Sequence, residues 1–537
     1  MSNIEEIKKR KDGLDVLADI YRYAATQETI SPDDEALFRW YGIYTQRPAE
    51  DGFFMVRTRI PGGDLTPTQL RVLAELAEHH GRGLADITVR QNIQYHWVRV
   101  ESLPIILDRL REVGLSTTEA CGDCVRNILN CPVSGVDSEE LYDTTPLIKA
   151  VNEFFIDNKD FSNLPRKFKI AITGCAYACV YPEINDIGIF AVRDEQGEVA
   201  FRARVGGGLS TTPRFSKDLG VLVAPDEVVD LCAAVATVFR DEGNRKNRKR
   251  ARLKFLVEEW QIPRFREAVE RVMGRKLRRA ATPEAEPIQE RDRSHLGIHR
   301  QRENGLYYVG ISILGGRTNA CELRRLADLA EQFGSGRIRT TNTQNILLLD
   351  IPEKNILALT QQLDLSGFDY QPNWARKGMI ACTGIQFCKL AIAETKNRAK
   401  QLDEYLSEHV ELTDSVRISV TGCPNSCGQH HICDVGLEGS LVQIGGVKKE
   451  AFQIFLGGGV GRHESFGRRI GVRVLADDLG ESLGRLFARY NDERVGQETF
   501  QEFCLRHSDE KLTEFLAASP PTINPSCAAI ESQPAPV

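Results

Sequence analysis

The strongest constraint on this sequence is that it repeats itself. Ile60-Pro61-Gly62-Gly63 returns as Ile313-Leu314-Gly315-Gly316, LAELAEHHG from Leu73 returns as LADLAEQFG from Leu326, and Gln91-Asn92-Ile93 returns as Gln344-Asn345-Ile346, each 253 positions later. Thr173-Gly174-Cys175 and Thr421-Gly422-Cys423 stand 248 apart, and Val205-Gly206-Gly207-Gly208 and Leu456-Gly457-Gly458-Gly459 stand 251 apart. An ordered series of matches at nearly constant spacing identifies two related halves. At 537 residues the chain is also too long for a single core.

Each half opens alike, with an alternating strand (FFMVRTRI, then YYVGISIL), a GG turn and an amphipathic helix. In the first copy Thr66 predicts an N-cap, Pro67 the first helical position and Gln69 a capping box, with Gly81 as the stop. Two short strands meeting at Gln91-Asn92 follow, then a second helix, LPIILDRLREVG, closed by Gly114. This β-α-β-β-α unit is an α+β half-sheet with unpaired edges, and the two copies are expected to complete one sheet across a pseudo-twofold axis. The divisions read as an N-terminal extension over 1–50, half-domains over 51–118 and 299–370, cysteine-bearing domains over 119–275 and 371–518, a polar surface linker over 276–298, and a disordered Pro/Ala/Ser-rich tail over 519–537.

Composition excludes some classes. No stretch approaches 18 uninterrupted apolar residues, and the start MSNIEEIKKRKDGLDVL lacks the apolar run of a signal peptide, so a cytoplasmic protein without membrane partners is expected. The formal charge of -6 gives no general reason to expect nucleic acid. The run Arg245, Lys246, Arg248, Lys249, Arg250, Arg252, Lys254 is the exception, readable as an RNA contact, a solvated face or a small-anion site.

Fourteen cysteines in a reducing compartment point to metal or catalysis rather than disulfides. Cys382-x5-Cys388 followed by Cys423-x3-Cys427 supplies four thiolates in two local pairs, as a cubane iron-sulfur cluster needs; zinc and disulfides are the alternatives. Cys232, Cys321, Cys504 and Cys527 are scattered and read as ordinary buried or tail thiols. Lys167-Phe168-Lys169 puts two ammonium groups on one face of an extended segment. Together with Arg90 and Arg126 they form either an anion site or four unrelated surface cations.

The motifs Arg90-Gln91-Asn92-x-Gln94, Gly122-Asp123-Cys124-Val125-Arg126-Asn127, Leu164-Pro165-Arg166-Lys167-Phe168-Lys169, Cys382-x5-Cys388 and Thr421-Gly422-Cys423-Pro424-Asn425-x-Cys427, in that order, resemble the sirohaem-dependent nitrite and sulfite reductases, especially the ferredoxin-dependent type. The resemblance runs from about Tyr41 to about Arg489. It implies an internally duplicated, pseudo-twofold three-domain architecture, with ferredoxin-like half-domains and two sirohaem/iron-sulfur α/β domains. It further implies a [4Fe-4S] cluster on Cys382, Cys388, Cys423 and Cys427, with Cys427 shared with the sirohaem iron, and an oxyanion-binding, proton-delivering set of Arg90, Arg126, Lys167 and Lys169. Gln91, Asn92, Gln94, Asn127, Gly207, Gly208, Gln344, Asn345 and Asn425 are the cofactor-contact positions in this reading; for Gly207, Gly208 and the two Gln-Asn pairs, plain turn residues are the alternative.

Lys169 stands where, in this family, Lys marks sulfite and Asn marks plant-type nitrite reductases, so sulfite reduction to sulfide is the first expectation and nitrite reduction to ammonia the second. An RNA-binding iron-sulfur protein using the 245–254 run is the remote alternative. No G-x-G-x-x-G follows a strand, so the electrons must come from outside, from ferredoxin or a flavoprotein, to a chain expected to be monomeric. Tyr44-Thr45-Gln46-Arg47 with Cys121-Gly122-Asp123 resembles a bacterial subgroup in which this Tyr and Cys are joined covalently; a buried Tyr and an unreacted thiol are the alternative. By the repeat offsets Cys131, Cys175 and Cys179 fall on Cys382, Cys423 and Cys427, with Asp137 near the fourth position and Cys124 close by. That group is read as a remnant of the duplication, or otherwise as a second iron-sulfur centre.

Overall fold

A computed structural model of the chain describes residues 4–175, 177–281 and 294–517. The 519–537 tail, with Cys527, and the middle of the 276–298 linker lie outside them. The helix signals hold: Pro67–His80 starts at Thr66 with a complete capping box to Gln69, and its counterpart Ala320–Phe333 starts at Asn319 with the same box to Glu322. Their apolar stripes, including Leu70, Leu73 and Ala77 against Leu323, Leu326 and Ala330, belong to one core spanning both copies. Arg71 bridges to Asp328 at 2.8 Å and to Glu331 at 2.6 Å at its rim.

The expectation of one shared sheet is corrected. The half-domains form two five-stranded sheets, and each lends the other a strand. Arg317–Asn319 closes the edge of the first sheet against Leu84–Ile87, and Asp64–Leu65 closes the edge of the second against Ile338–Thr340. An open edge is a liability, and the exchange covers both. It depends on the GG turns: a Cβ on Gly63 (φ 73°) would lie 2.4 Å from Thr340 O, and one on Gly316 (φ 76°) 2.2 Å from Ile87 O, so only glycine lets the backbones cross.

Each cysteine-bearing domain is built on one further sheet. In the first, Leu129–Asn130, Ile170–Thr173 and Ile187–Arg193 run parallel, and Val199–Val205, Lys217–Val223 and Arg278–Arg279 continue antiparallel. In the second, Met379–Ala381, Ile418–Thr421 and Val435–Ile444 run parallel, followed by antiparallel Val447–Leu456 and Arg468–Leu475. In both, the cysteine loops leave the carboxyl ends of two adjacent parallel strands, the end of such sheets where ligand sites form.

The duplication reaches the backbone torsions. Left-handed non-glycine residues recur at the repeat spacing: Gln91 and Gln344 (φ 55° and 67°), Trp97 and Asp350 (57° and 57°), Ala178 and Ser426 (46° and 54°), Tyr181 and Gln429 (54° and 70°). Such conformations persist only where the surroundings impose them. The N-terminal segment is packed onto the first half through Lys8 Nζ to Leu164 O at 2.8 Å and Trp40 Nε1 to Ser162 O at 2.7 Å. Leu277 and Leu296, near the ends of the 276–298 segment, are buried. Among the described residues no helix is long and apolar enough to cross a membrane.

Candidate functional site

Cys382 and Cys388 follow Met379–Ala381, and Cys423 and Cys427 follow Ile418–Thr421, so two neighbouring strands bring all four thiols to one end of the sheet. Gly384 (φ 73°) folds the first loop against Thr395, whose Oγ1 would meet a Cβ there at 2.4 Å. Gly422 N donates to Cys382 Sγ at 3.3 Å and Asn425 Nδ2 to Cys423 Sγ at 3.6 Å, contacts that stabilise thiolates. Burial pushes the Cys382 thiol up to about 12 and raises Cys388 and Cys423 as well, so these three ionise readily only with a cationic centre beside them. No three of these four ligand atoms lie within 4.8 Å of one another. Thiolates on one zinc ion would stand about 3.8 Å apart, from Zn–S bonds near 2.3 Å. This wider spread fits a polynuclear cluster.

The cations gather on the facing half. Val125 and Phe168 form a parallel bridge, with Phe168 N donating to Cys124 O at 3.0 Å and Arg126 N to Phe168 O at 2.9 Å, which sets Arg126 beside Lys167 and Lys169. Phe168 is buried and stacks on Phe239 at 5.5 Å, so both lysines turn away from the core. Arg126 is buried and donates to Gly122 O and Ala120 O; Arg90 reaches Asn185 Oδ1 at 3.2 Å and also Asn127 O, while its buried Nε has no partner.

Burial weighs on all four, but in Arg126 the nearby Tyr44, Cys121 and Cys124 outweigh it and hold the guanidinium up, while the other three are held down. Desolvation, then Arg252, holds Lys167 down to about 7. Desolvation, then Arg90 and Lys167, holds Lys169 well below the usual range, and desolvation with Arg126 brings Arg90 to about 9. Asp186 is the carboxylate at this spot, and it is bound by Arg252 at 2.7 Å and by Lys169 N at 2.9 Å. Buried cations packed this closely around one bound carboxylate, with an unpartnered donor among them, need an anion. Cys427 acts electrostatically on Lys167, so the cation site of one half faces the thiols of the other.

The remaining predicted positions frame this cleft. Gln91 Nε2 donates to Gly62 O and Thr340 O, and Gln344 Nε2 to Ile87 O and Ala381 O; both side chains brace the crossing between copies. Asn92 accepts from Thr88, and Asn345 Oδ1 from Ile313 N. Asn127 Nδ2 holds Ile60 O and Arg90 O, each at 2.8 Å, and its Oδ1 is buried without a partner. Gly207 and Gly208 let the chain pass close to Asn185 and Arg252. Asn425 meets Ser210 from the first half at 3.4 Å. Tyr44 lies beside Cys121, with burial first and then Cys121 pushing the phenol up to about 12, and Arg57 Nη1 donates to Cys121 Sγ at 3.2 Å.

Two cations of the site were absent from the predicted set. Arg57 acts on Arg90 and Tyr44 and is held by Gln94 Oε1 at 2.8 Å; its signal is the Arg57-x-Arg59 alternation in the first strand. Arg252 was visible only as part of the 245–254 run. Part of that run is taken up inside the fold: Arg245 pairs with Glu5 at 3.0 Å, Arg248 with Asp123 at 2.8 Å and Arg252 with Asp186, while Lys254 is buried against the carbonyls of Gly208, Leu209 and Thr212. Four of its seven cations are thus engaged within the fold, and Lys246, Lys249 and Arg250 stay at the surface.

Residues 121–277 and 376–506 match the family described as "Nitrite and sulphite reductase 4Fe-4S domain", and residues 46–113 and 299–365 match "Nitrite/Sulfite reductase ferredoxin-like half domain". The Mycobacterium tuberculosis protein "Sulfite reductase [ferredoxin]" is 38% identical over 95% of both chains. "Ferredoxin--nitrite reductase" of Leptolyngbya laminosa is 39% identical over 91% of this chain and 97% of its own. The solved structure of the Mycobacterium tuberculosis NirA protein superposes with a TM-score of 0.90 at 38% identity, covering 95% of this chain and 97% of that one.

Proposed function

This chain belongs to the nitrite and sulphite reductase family, and on that premise we propose that it is a ferredoxin-dependent sulfite reductase. The observation that carries the choice of sulfite is Lys169, a second lysine that a bound anion returns to the ammonium form, beside Lys167 among Arg90, Arg126 and Arg252, with Asp186 already bound. A doubly charged oxyanion gains more from that extra cation than nitrite does. Cys382, Cys388, Cys423 and Cys427 would hold the [4Fe-4S] cluster, and the cleft between them and the cations would hold the sirohaem, its carboxylates met by the surrounding basic residues. When bound, these groups would relay electrons from reduced ferredoxin to the substrate, six for each sulfite converted to sulfide.

The chain's own residues do the rest. Arg90 and Arg126 orient the oxyanion through forked donors whose directions are set by Asn127, Asn185 and the Gly122 carbonyl. Lys167, poised near 7, releases a proton as S–O bonds break and takes one back from solvent at neutral pH. Lys169, held down without an anion, regains its proton as the anion binds and so brings charge beside the departing oxygens. Tyr44 and Cys121 border Arg126. In this reading they are joined by a thioether, the ring carbon and the thiol each losing one hydrogen and the two electrons passing to an oxidant such as dioxygen; a linked peptide two hydrogens lighter than its parts would show it.

The electron donor would dock at the cluster loop, where Leu390 and Ile392 are exposed. The decisive experiment is an anaerobic assay with reduced dye, comparing kcat/KM for sulfite and nitrite on one preparation. Sulfite should give the larger constant; a clear preference for nitrite would transfer the assignment to the other branch of the family.

A further inference from the structure

The first half contains a group of thiols that this function does not use. Cys131, Cys175 and Cys179 occupy the repeat positions of Cys382, Cys423 and Cys427. Their sulfurs all lie within 4.8 Å of one another, and the residues are 2%, 1% and 1% exposed. Among the described residues no other three His, Cys, Asp or Glu ligand atoms come so close. We propose that Cys131, Cys175 and Cys179 bind a single thiophilic, closed-shell metal ion, Zn²⁺ or Cu⁺, at a second metal centre between the halves.

Geometry separates this from a second iron-sulfur cluster. A cubane attaches each thiolate to a different iron and holds the sulfurs apart, as the four thiols of the second half stand. Sulfurs sharing one ion stand about 3.8 Å apart, and the compact trio fits that separation. The fourth position of the repeat is filled by Asp137, which is not among the close ligand atoms and whose Oδ1 accepts from Glu139 N at 3.1 Å. Three thiolates alone satisfy trigonal Cu⁺; for Zn²⁺ the oxygen at hand is Thr173 Oγ1, 3.3 Å from Cys175 Sγ.

The surroundings are those of a closed structural site. Val133 and Val136 pack around the sulfurs from the first half, and Tyr308, Leu347 and Leu349 cover them from the second-half sheet. Buried Arg339 donates to the carbonyls of Pro132 and Ser134, fixing positive charge on the loop that carries Cys131. Asn342 Nδ2 holds Cys179 O at 2.8 Å. Binding is an exchange without electron transfer: three thiols release three protons, and the complex carries a net charge of -1 with Zn²⁺ or -2 with Cu⁺. Its effect would be to clip the loops after Leu129–Asn130 and Ile170–Thr173 together beneath the other half.

The test is elemental analysis of the anaerobically purified holoenzyme, as isolated and after exposure to Zn²⁺ or Cu⁺ followed by desalting, with X-ray absorption at the edge of the metal found. The expected result is one zinc or copper per chain with sulfur neighbours at about 2.3 Å. Cys175→Ser should lose that ion with iron content unchanged. The proposal is overturned if the wild-type chain retains neither metal, or if its iron and acid-labile sulfide fall by about half in Cys175→Ser, which would make the site a second cluster. Should the variant fail to fold, the wild-type metal count and sulfur shell decide alone.

Discussion

Where the first half carries Arg90, Arg126, Lys167 and Lys169, the repeat offsets place Thr343, Lys377, Ser415 and Arg417 in the second. These four also converge, lining one cavity of about 530 Å³. There, however, Asp414 and Asp434 line the same space and Arg417 is bound to Asp434 at 3.1 Å, so charge is balanced. In the first half the cations outnumber Asp186. The thiols differ in the opposite sense, four spread apart in the second half and three drawn together in the first. Duplication kept the strands, the turns and even the left-handed residues; charge and sulfur were redistributed, and under the proposed function these, not the fold, would allot anion binding to one half and electron relay to the other.

The largest effect that could break this comparison comes from matched serine substitutions. Cys423→Ser removes one cluster thiolate and should lower dye-driven sulfite turnover by about a thousandfold, whereas Cys175→Ser at the repeat position should leave turnover per cofactor-loaded chain within about twofold, since it lies outside the electron path. Equal losses would mean that the halves are not divided as described. Next in size, Lys169→Asn should shift the ratio of kcat/KM for sulfite over nitrite about tenfold towards nitrite, the equivalent of ~1.4 kcal/mol of charge stabilisation.

The pH response sharpens the electrostatic side. Lys167 is held at about 7 in the fold against 10.5 ordinarily, so between those values the unfolded chain carries a proton that the anion-free fold lacks, and fold stability rises with pH across that window. A bound anion raises the folded value. Sulfite binding above pH 7 should therefore take up a proton and weaken as pH climbs. Calorimetry in two buffers of different ionisation enthalpy measures the uptake, and Lys167→Met should remove it. The smallest effect expected is at the docking surface: Leu390→Asp should raise the KM for reduced ferredoxin about fivefold and leave dye-driven rates unchanged.

Much of this was legible in the sequence because it is local. Caps, alternation and GG turns mark the half-domains within a dozen residues, and the four cysteines proposed to hold the cluster lie in two short motifs. The strand exchange was not legible: Asp64–Leu65 and Arg317–Asn319 are two and three residues long, with no apolar run, and their pairing partners come from the other copy. Arg57 and Arg252 escaped for a related reason. Each looks like an ordinary charged residue in its own segment, and only tertiary packing turns it toward Arg90 and Asp186. The burial of Lys8 and Trp40 likewise rests on contacts with residues more than a hundred positions away.

The most direct measurement makes the first cavity resemble the second. A Lys167→Ser, Lys169→Arg variant carries the second half's residues at both positions and leaves every cysteine in place. Sulfite titration of the cofactor-loaded protein, followed through its visible absorption, should show full cofactor content and a Kd raised about a hundredfold, roughly 2.7 kcal/mol. An unchanged Kd at full cofactor content would contradict the assignment of the anion site to the first half.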